Sequence, residues 1–259
     1  MTYCVAIAVN DGLVFCSDSR TNAGPDMIST YSKMHVFRPA ADRYFVVLTS
    51  GNLATTQAII AQLESQEQGD DGNCLLSCKK MIDAARYVSQ ISRTEQAQAA
   101  ETMTDATVDT SASLIFGGQI NGAPPAIYMI YAAGNFITDS DENPFLQIGE
   151  SKYGKPILDR ILTRQTSLED AARCAIVSMD STIRSNATVG PPIEVLVCHV
   201  DTLNDNHYAR LEEDDPYLRS VKQAWNEALK LSFSELPRFE WEKRSTTPSL
   251  HAVKNEHTP

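Results

Sequence analysis

The sequence predicts an α+β chain folded as a four-layer αββα sandwich. Strand-like segments rich in β-branched and aromatic residues come in two groups, and each group is followed by a pair of segments with helical apolar stripes. One more strand closes the series. Two antiparallel sheets face to face, each covered by one helical pair, would bury every one of those stripes. At 259 residues, the chain is long enough to enclose one sizeable core.

The elements follow in order. Thr2 to Val9 is rich in β-branched residues, Asn10-Asp11-Gly12 supplies the positive-φ positions of a tight hairpin, and Leu13 to Ser17 is the return strand. His35 to Arg38 and Tyr44 to Thr49 are two further strands, separated by the polar turn Pro39-Ala40-Ala41-Asp42-Arg43. These four assemble most simply as one antiparallel layer. After Ser50-Gly51-Asn52 the period changes: Leu53, Ile59, Ile60 and Leu63 mark a first helix, which runs toward a breaker near Gly69. Asn73 to about Ala99 reads as a second, longer helix, with Leu76, Met81, Ile82, Ala85, Val88 and Ile91 on its stripe.

Strands then return at Ser111 to Phe116, Ala126 to Tyr131 and Phe145 to Ile148. Gly117-Gly118, Asn121-Gly122 and Asp139 to Asn143 are expected to be their hairpin connections, making a second sheet. Ile157, Leu158, Ile161 and Leu162 form a helical face. Ser167, with an acid at Asp170, caps another helix through Ala171, Ala172, Ala175, Ile176 and Met179. Ile193 to Val200 is the last strand. The expected organisation is one domain over residues 2–200 and an extension over 201–259. That extension holds an acidic stretch, a helix capped by Asp215 with Leu218, Val221, Trp225 and Leu229 on one face, and a mobile tail from Arg244 to Pro259.

Composition excludes several function classes. Lys and Arg number 22 against 33 Asp and Glu, a net charge of -11, and no basic run of five occurs, so a nucleic-acid partner is not expected. Apolar runs such as Tyr44 to Leu48, and Ile193 to Val197 with Glu194 inside it, fall far short of the roughly 20 residues of a membrane span. The first residues lack a basic stretch ahead of the apolar one and read as a strand rather than a signal peptide. The six cysteines have no metal-like spacing and read as free thiols, with Cys74 and Cys78 on the second helix, which suits the reducing cytoplasm. His35, His199, His207, His251 and His257 form no triad or metal cluster, and no metal or cofactor is expected.

The chemistry lies at the N-terminus. A threonine directly after the initiator methionine is small enough for Met1 to be trimmed, leaving one residue with both a hydroxyl nucleophile and a free α-amine. That amine, with an ordinary pKa of about 7.7–8.0, can act as general base near neutral pH. A hairpin that starts at Thr2 and turns at residues 10–12 brings its chain back near residue 18 to the level of Thr2. Asp18 therefore falls beside it, and Lys33, arriving ahead of the third strand, can pair with Asp18 and aim its ammonium at the Thr2 hydroxyl.

Thr2, the run from Gly12 through Asp18-Ser19-Arg20-Thr21, Lys33, and Leu48-Thr49-Ser50-Gly51-Asn52-Leu53-Ala54 together resemble the proteasome β-subunit pattern. With Ser181 to Pro192 and the acidic C-terminal extension, the chain is similar over residues 2–240 to the bacterial Anbu (ancestral β-subunit) family. The resemblance implies an N-terminal-nucleophile hydrolase fold and a threonine peptidase or amide hydrolase. In it Thr2 would be nucleophile and base, Asp18 and Lys33 the charge pair, and the Gly51 N–H an oxyanion-hole donor, with Thr21 and Thr49 flanking a peptide substrate. It also implies a ring-like or helical homo-oligomer, for which the Leu218–Leu229 helix with Trp225 and Trp241 is the candidate contact.

The chain departs from the family pattern at two accessory positions. Gly149-Glu150-Ser151 places a serine one residue late, and Arg184-Ser185 has serine where the pattern has aspartate. Ser151 and Ser185, with Thr188, are the candidates to complete the site, although a serine cannot hold an ammonium as a carboxylate does. A weakly active self-assembling particle of the same fold, or an amidase for a small molecule, are the competing readings.

Overall fold

The computed structural model describes residues 1–22, 28–67, 74–103, 107–203 and 207–243. The expected breaker near Gly69, the tail from Arg244 and the histidines at 251 and 257 lie outside them. The strands are β1 (Tyr3–Val9), β2 (Gly12–Asp18), β3 (Arg20–Asn22), β4 (Ile28–Thr30), β5 (Met34–Ala40) and β6 (Arg43–Gly51), then β7 (Ala112–Ile120), β8 (Ala126–Ile130), β9 (Phe136–Thr138), β10 (Phe145–Gly149), β11 (Ile193–His199) and β12 (His207–Leu211). The helices are α1 (Leu53–Glu67), α2 (Met81–Thr102), α3 (Lys155–Ile161), α4 (Leu168–Ser185), α5 (Pro216–Ser234) and α6 (Glu240–Lys243).

Two five-stranded sheets, in orders β10-β1-β2-β11-β12 and β5-β6-β7-β8-β9, pack face to face, and β3 and β4 form a separate two-stranded ribbon. Three apolar layers result. Cys4, Ala6, Phe15, Val46, Leu48, Ile115 and Leu196 fill the space between the sheets. Tyr3, Val5, Ile7, Leu158, Ala171, Ala175 and Met179 pack the first sheet against α3 and α4, and Phe45, Val47, Ile59, Leu63, Ala84 and Val88 pack the second against α1 and α2. The αββα sandwich follows because each sheet has two buried faces, as the unbroken burial of β1 and β2 shows.

The strand pairing differs from the expected one. β1–β2 and β5–β6 are each hairpins, but they belong to different sheets; β7 and β8 join β6, and β10 crosses to pair with β1, Tyr3 opposite Gly149. Sequential neighbours pair by default, and nothing in the periodicity distinguishes a hairpin that extends a layer from one that starts the facing layer. Gly117 and Gly118 are not a connection but the middle of β7. At Gly117 a Cβ would lie 2.9 Å from Phe15 Cζ, so the missing side chain makes room for the facing sheet. Pro39 and Ala40 continue β5 past a register shift, which an edge strand tolerates.

The second helix begins at Met81, not near Asn73. Cys74 to Ser77 is a turn, and Arg43 Nη1 donates to the carbonyls of Leu75, Leu76 and Cys78 at 3.2, 2.7 and 2.8 Å, replacing the bonds a helix would have made. Cys74 and Cys78 therefore do not share a helix, and Leu76 and Ile82 are exposed. The α4 cap is as expected, Ser167 Oγ accepting from Asp170 N at 3.2 Å, and Asp215 caps α5 through the N–H groups of Tyr217 and Leu218. Residues beyond 200 also complete the first sheet, since β12 pairs with β11 and Leu218 joins the core against α4. All six cysteines are free and buried, and no helix among the described residues is long and apolar enough to cross a membrane.

Candidate active site

One cavity of about 690 Å³ opens where the two sheets end. Its wall includes Met1, Thr2, Arg20, Thr21, Ser32, Lys33, Thr49, Gly51 and Gly149. The hairpin geometry sets the core of this cluster: β2 returns antiparallel to β1, with Cys4 opposite Ser17, so Asp18 arrives beside the start of β1. The Tyr3 N–H donates to Asp18 Oδ1 at 3.0 Å and the Gly190 N–H to Oδ2 at 3.2 Å. Lys33 Nζ donates to Asp18 Oδ1 and to the Arg20 carbonyl, both at 2.7 Å. Lys33 is held from the other sheet, its carbonyl accepting from Thr49 N at 2.9 Å.

The pair is buried, with side-chain exposures of 8% for Lys33 and 0% for Asp18. Burial pushes the Asp18 carboxyl up, while the Lys33 ammonium and the two N–H donors pull it back toward the ionised form. The terminal ammonium, carried here by Met1, is held below its ordinary range by burial first and by Lys33 second, with Asp18 opposing. An amine in this field releases its proton more readily than one in water.

Thr2 is itself 9% exposed and is fixed from β10: its carbonyl accepts from Glu150 N at 2.7 Å. Gly51 ends β6 at φ +117°, where a Cβ would sit 2.3 Å from the Ser111 carbonyl oxygen. Only glycine is accommodated there, at the strand-to-helix turn where its backbone lines the cavity. Asn52 closes the same turn, its side chain capping the first turn of α1 through Thr55 N at 3.2 Å.

Thr2, Asp18, Lys33, Gly51, Thr21 and Thr49 are thus gathered on or directly behind one cavity. Ser151 and Ser185 are not with them. Ser151 follows β10 and gives its carbonyl to Lys155 N at 3.1 Å, while Ser185 is exposed at the end of α4. Ser185 lines a separate cavity of about 340 Å³ with Lys152, Tyr153, Asp180, Trp225 and Leu229. The polar groups near the β10 end are instead Glu150, 7% exposed, whose Oε2 accepts from Asn186 Nδ2 at 3.2 Å. Asn186 Oδ1 in turn accepts from Thr188 N at 3.0 Å and Thr188 Oγ1 at 2.6 Å. Glu150 and Asn186 were not among the sequence candidates; the available signal was a carboxylate next to a glycine at a strand end.

The comparisons with known proteins agree with this architecture. The family described as Proteasome subunit matches residues 2–198. No curated protein matches the chain. Among solved structures, Anbu (ancestral beta-subunit) from Yersinia bercovieri is 40% identical, with a TM-score of 0.87 over 92% of this chain and 99% of that one. A structure described as the helical assembly of the Anbu complex from Pseudomonas aeruginosa is 47% identical, with a TM-score of 0.84 over 92% of this chain and 98% of that one. Anbu from Hyphomicrobium sp. strain MC1 is 41% identical, with a TM-score of 0.82 over 92% and 99% of the two chains. On the extent of these matches, the chain belongs to the proteasome subunit family and, within it, to the Anbu group of ancestral β-subunits.

Proposed function

We propose that this protein is a threonine-type peptidase or amide hydrolase that acts as a homo-oligomer in the cytoplasm, once Met1 has been removed from Thr2. The observation that carries this reading is the buried Asp18–Lys33 pair, 2.7 Å between charged atoms, on the cavity that Thr2 lines. In the mechanism, the free Thr2 amine takes the proton from its own hydroxyl, through a bridging water, and the Lys33 ammonium stabilises the developing alkoxide. The alkoxide attacks the substrate carbonyl, the Gly51 N–H stabilises the oxyanion, and the amine returns its proton to the leaving nitrogen. Water then hydrolyses the acyl-enzyme by the same route. Thr21 and Thr49 would flank the peptide, and no metal or cofactor enters any step.

The assembly and the compartment rest on separate features. One relative is described as a helical assembly. Leu231, Phe233, Leu236, Phe239 and Trp241 are between 57% and 75% exposed, a density of apolar surface that suits burial in a contact between copies. Residues 2–200 would hold the site, and in the extension 201–259, whose β12 and Leu218 join the folded core, the apolar residues from Leu231 onward would make the assembly contact. Six buried free thiols suit a reducing compartment.

The test is the intact mass of purified protein, with and without a peptide epoxyketone. Loss of Met1 together with one probe adduct on Thr2, absent in Thr2→Ala, is the expected result. A second reading, a self-assembling particle with weak or no activity, is favoured by Ser151 and Ser185 not being among the residues that line the cavity. A trimmed chain that stays unlabelled would select it.

A further inference from the structure

Glu194 is an unexpected residue in its place. It lies in β11 between Ile193 and Val195, 3% exposed, and is directly opposite Ser17 of β2. A carboxylate in such a layer is costly unless donors surround it. Three hydroxyls do so: Ser19 Oγ donates to Oε2 at 3.2 Å, Ser32 Oγ donates to Oε2 at 2.7 Å, and Tyr208 OH donates to Oε1 at 2.6 Å.

Those donors come from three different parts of the chain. Ser19 adjoins Asp18, Ser32 adjoins Lys33, and Tyr208 is on β12, from the segment beyond residue 200. Ser32 Oγ also accepts from Met34 N at 3.3 Å, so its hydroxyl straddles Lys33. The Ser19 carbonyl accepts from Tyr31 N at 2.9 Å, joining the same two segments through backbone. One carboxylate oxygen therefore holds both neighbours of the Asp18–Lys33 pair, and the other is held by β12.

We propose that Glu194 is a positioning residue that clamps the Asp18 and Lys33 segments together, and that Tyr208 couples this clamp to the C-terminal part of the chain. Its kinetic consequence rests on the Thr2 reading; its structural consequence does not. Free Lys33 to move, and its ammonium no longer stands at a fixed distance from Thr2. A misplacement of about 1 Å is enough to cost roughly a hundredfold in rate.

The test uses Glu194→Ala, Glu194→Gln and Tyr208→Phe in the full chain, read by crystal structures and by the epoxyketone labelling rate well below the melting temperature. In Glu194→Ala, Ser32 and Lys33 should shift, the Lys33–Asp18 contact should open beyond 2.7 Å, and labelling should slow by roughly ten- to a hundredfold. Gln should rescue most of it, its carbonyl facing the serines and its amide donating to Tyr208. Tyr208→Phe should give a smaller loss in the same direction. Should Glu194→Ala fail to fold, Tyr208→Phe and Ser32→Ala carry the same comparison. An ion pair unmoved in the alanine variant, or labelling unchanged while only the melting temperature falls, overturns the clamp. If the wild-type chain is not labelled, that outcome counts against the Thr2 reading alone, and the displacement of Ser32 and Lys33 decides the clamp.

Discussion

Gly149 stands so close to Thr2 that a Cβ on it would fall 1.9 Å from the Thr2 carbonyl oxygen, the same oxygen that accepts from Glu150 N at 2.7 Å. At φ +81° the backbone of residue 149 is in the left-handed region, so a side chain would be strained as well as obstructed. Gly149→Ala should therefore lower stability by about 2 kcal/mol or more. It should also slow labelling of Thr2, because the only relief is to push the β1 terminus away. A melting curve and a labelling rate equal to wild type would show that β10 does not hold Thr2.

Removing one partner of the buried ion pair should cost more than removing both. Lys33→Met leaves Asp18, fully buried, with an uncompensated carboxylate, a loss of about 3–5 kcal/mol. The double variant Asp18→Asn with Lys33→Met should recover part of that stability while remaining unlabelled. Urea unfolding of the two variants measures the difference; equal stabilities would mean that the pair is not coupled.

The pH dependence of labelling has a defined sign. Burial and Lys33 disfavour the charged Met1 amine in the folded chain and hold its pKa below the ordinary 8.0, and the Thr2 amine that trimming exposes beside the same pair should shift in the same direction. The neutral amine is the base, so the rate should rise with pH through a midpoint below that value. Folding stability should respond in the same sense. The folded chain holds this proton less tightly than the unfolded one, so the contribution is fully present above the unfolded pKa and is lost as pH falls through the folded one. A midpoint at or above 8.0 in the trimmed protein would count against the amine as base.

Substrate preference should follow the far wall of the cavity. Leu53, Thr56, Gln57, Ile60, Ala61 and Glu64 form one face of α1 along it, with His35 alongside. Glu64 makes no ion pair among those shown by the described residues, and His35 is held below its ordinary pKa by burial, leaving it neutral near pH 7. Probes carrying Lys or Arg should therefore label faster than matched probes carrying Glu, and Glu64→Lys should invert that order. A preference that Glu64→Lys leaves intact would place specificity elsewhere.

Assembly should depend on the C-terminal apolar residues. Phe233→Glu with Trp241→Glu, both at positions more than 65% exposed, should leave the melting temperature within a few degrees of wild type and reduce the particle mass in light scattering. An unchanged mass would remove α5 and α6 from the contact.

The parts of the site that could be read from sequence are those fixed by short-range geometry. The distance from Thr2 to Asp18 is set by a hairpin whose turn chemistry, Asn10-Asp11-Gly12, is local, and the structure has Tyr3 N bonded to Asp18. Gly51 at a strand-to-helix turn is local in the same way. Glu150, Asn186 and Glu194 could not be found so, because the contacts that bring them to the site span long stretches of chain: Asn186 is 36 from Glu150, and Ser19 is 175 from Glu194. A buried carboxylate inside the apolar run Ile193 to Val197 was the one visible sign, and it gains meaning only when its three donors are known.

By itself the sequence determined the kinds and order of the longer elements but not the short strands β3, β4, β9 and β12, because period, capping at Ser167 and Asp215, and turn residues act over a few positions. Which strands share a sheet was decided by tertiary structure: β1 and β10 pair across more than 130 intervening residues because both must bury two faces, a constraint of the whole core rather than of either segment. The same holds for the helix that began late at Met81, where Arg43 reached from β6 to take the carbonyls of Leu75, Leu76 and Cys78. Local chemistry fixed what each segment could be, and the competition to bury apolar faces and satisfy their polar groups fixed where each one went.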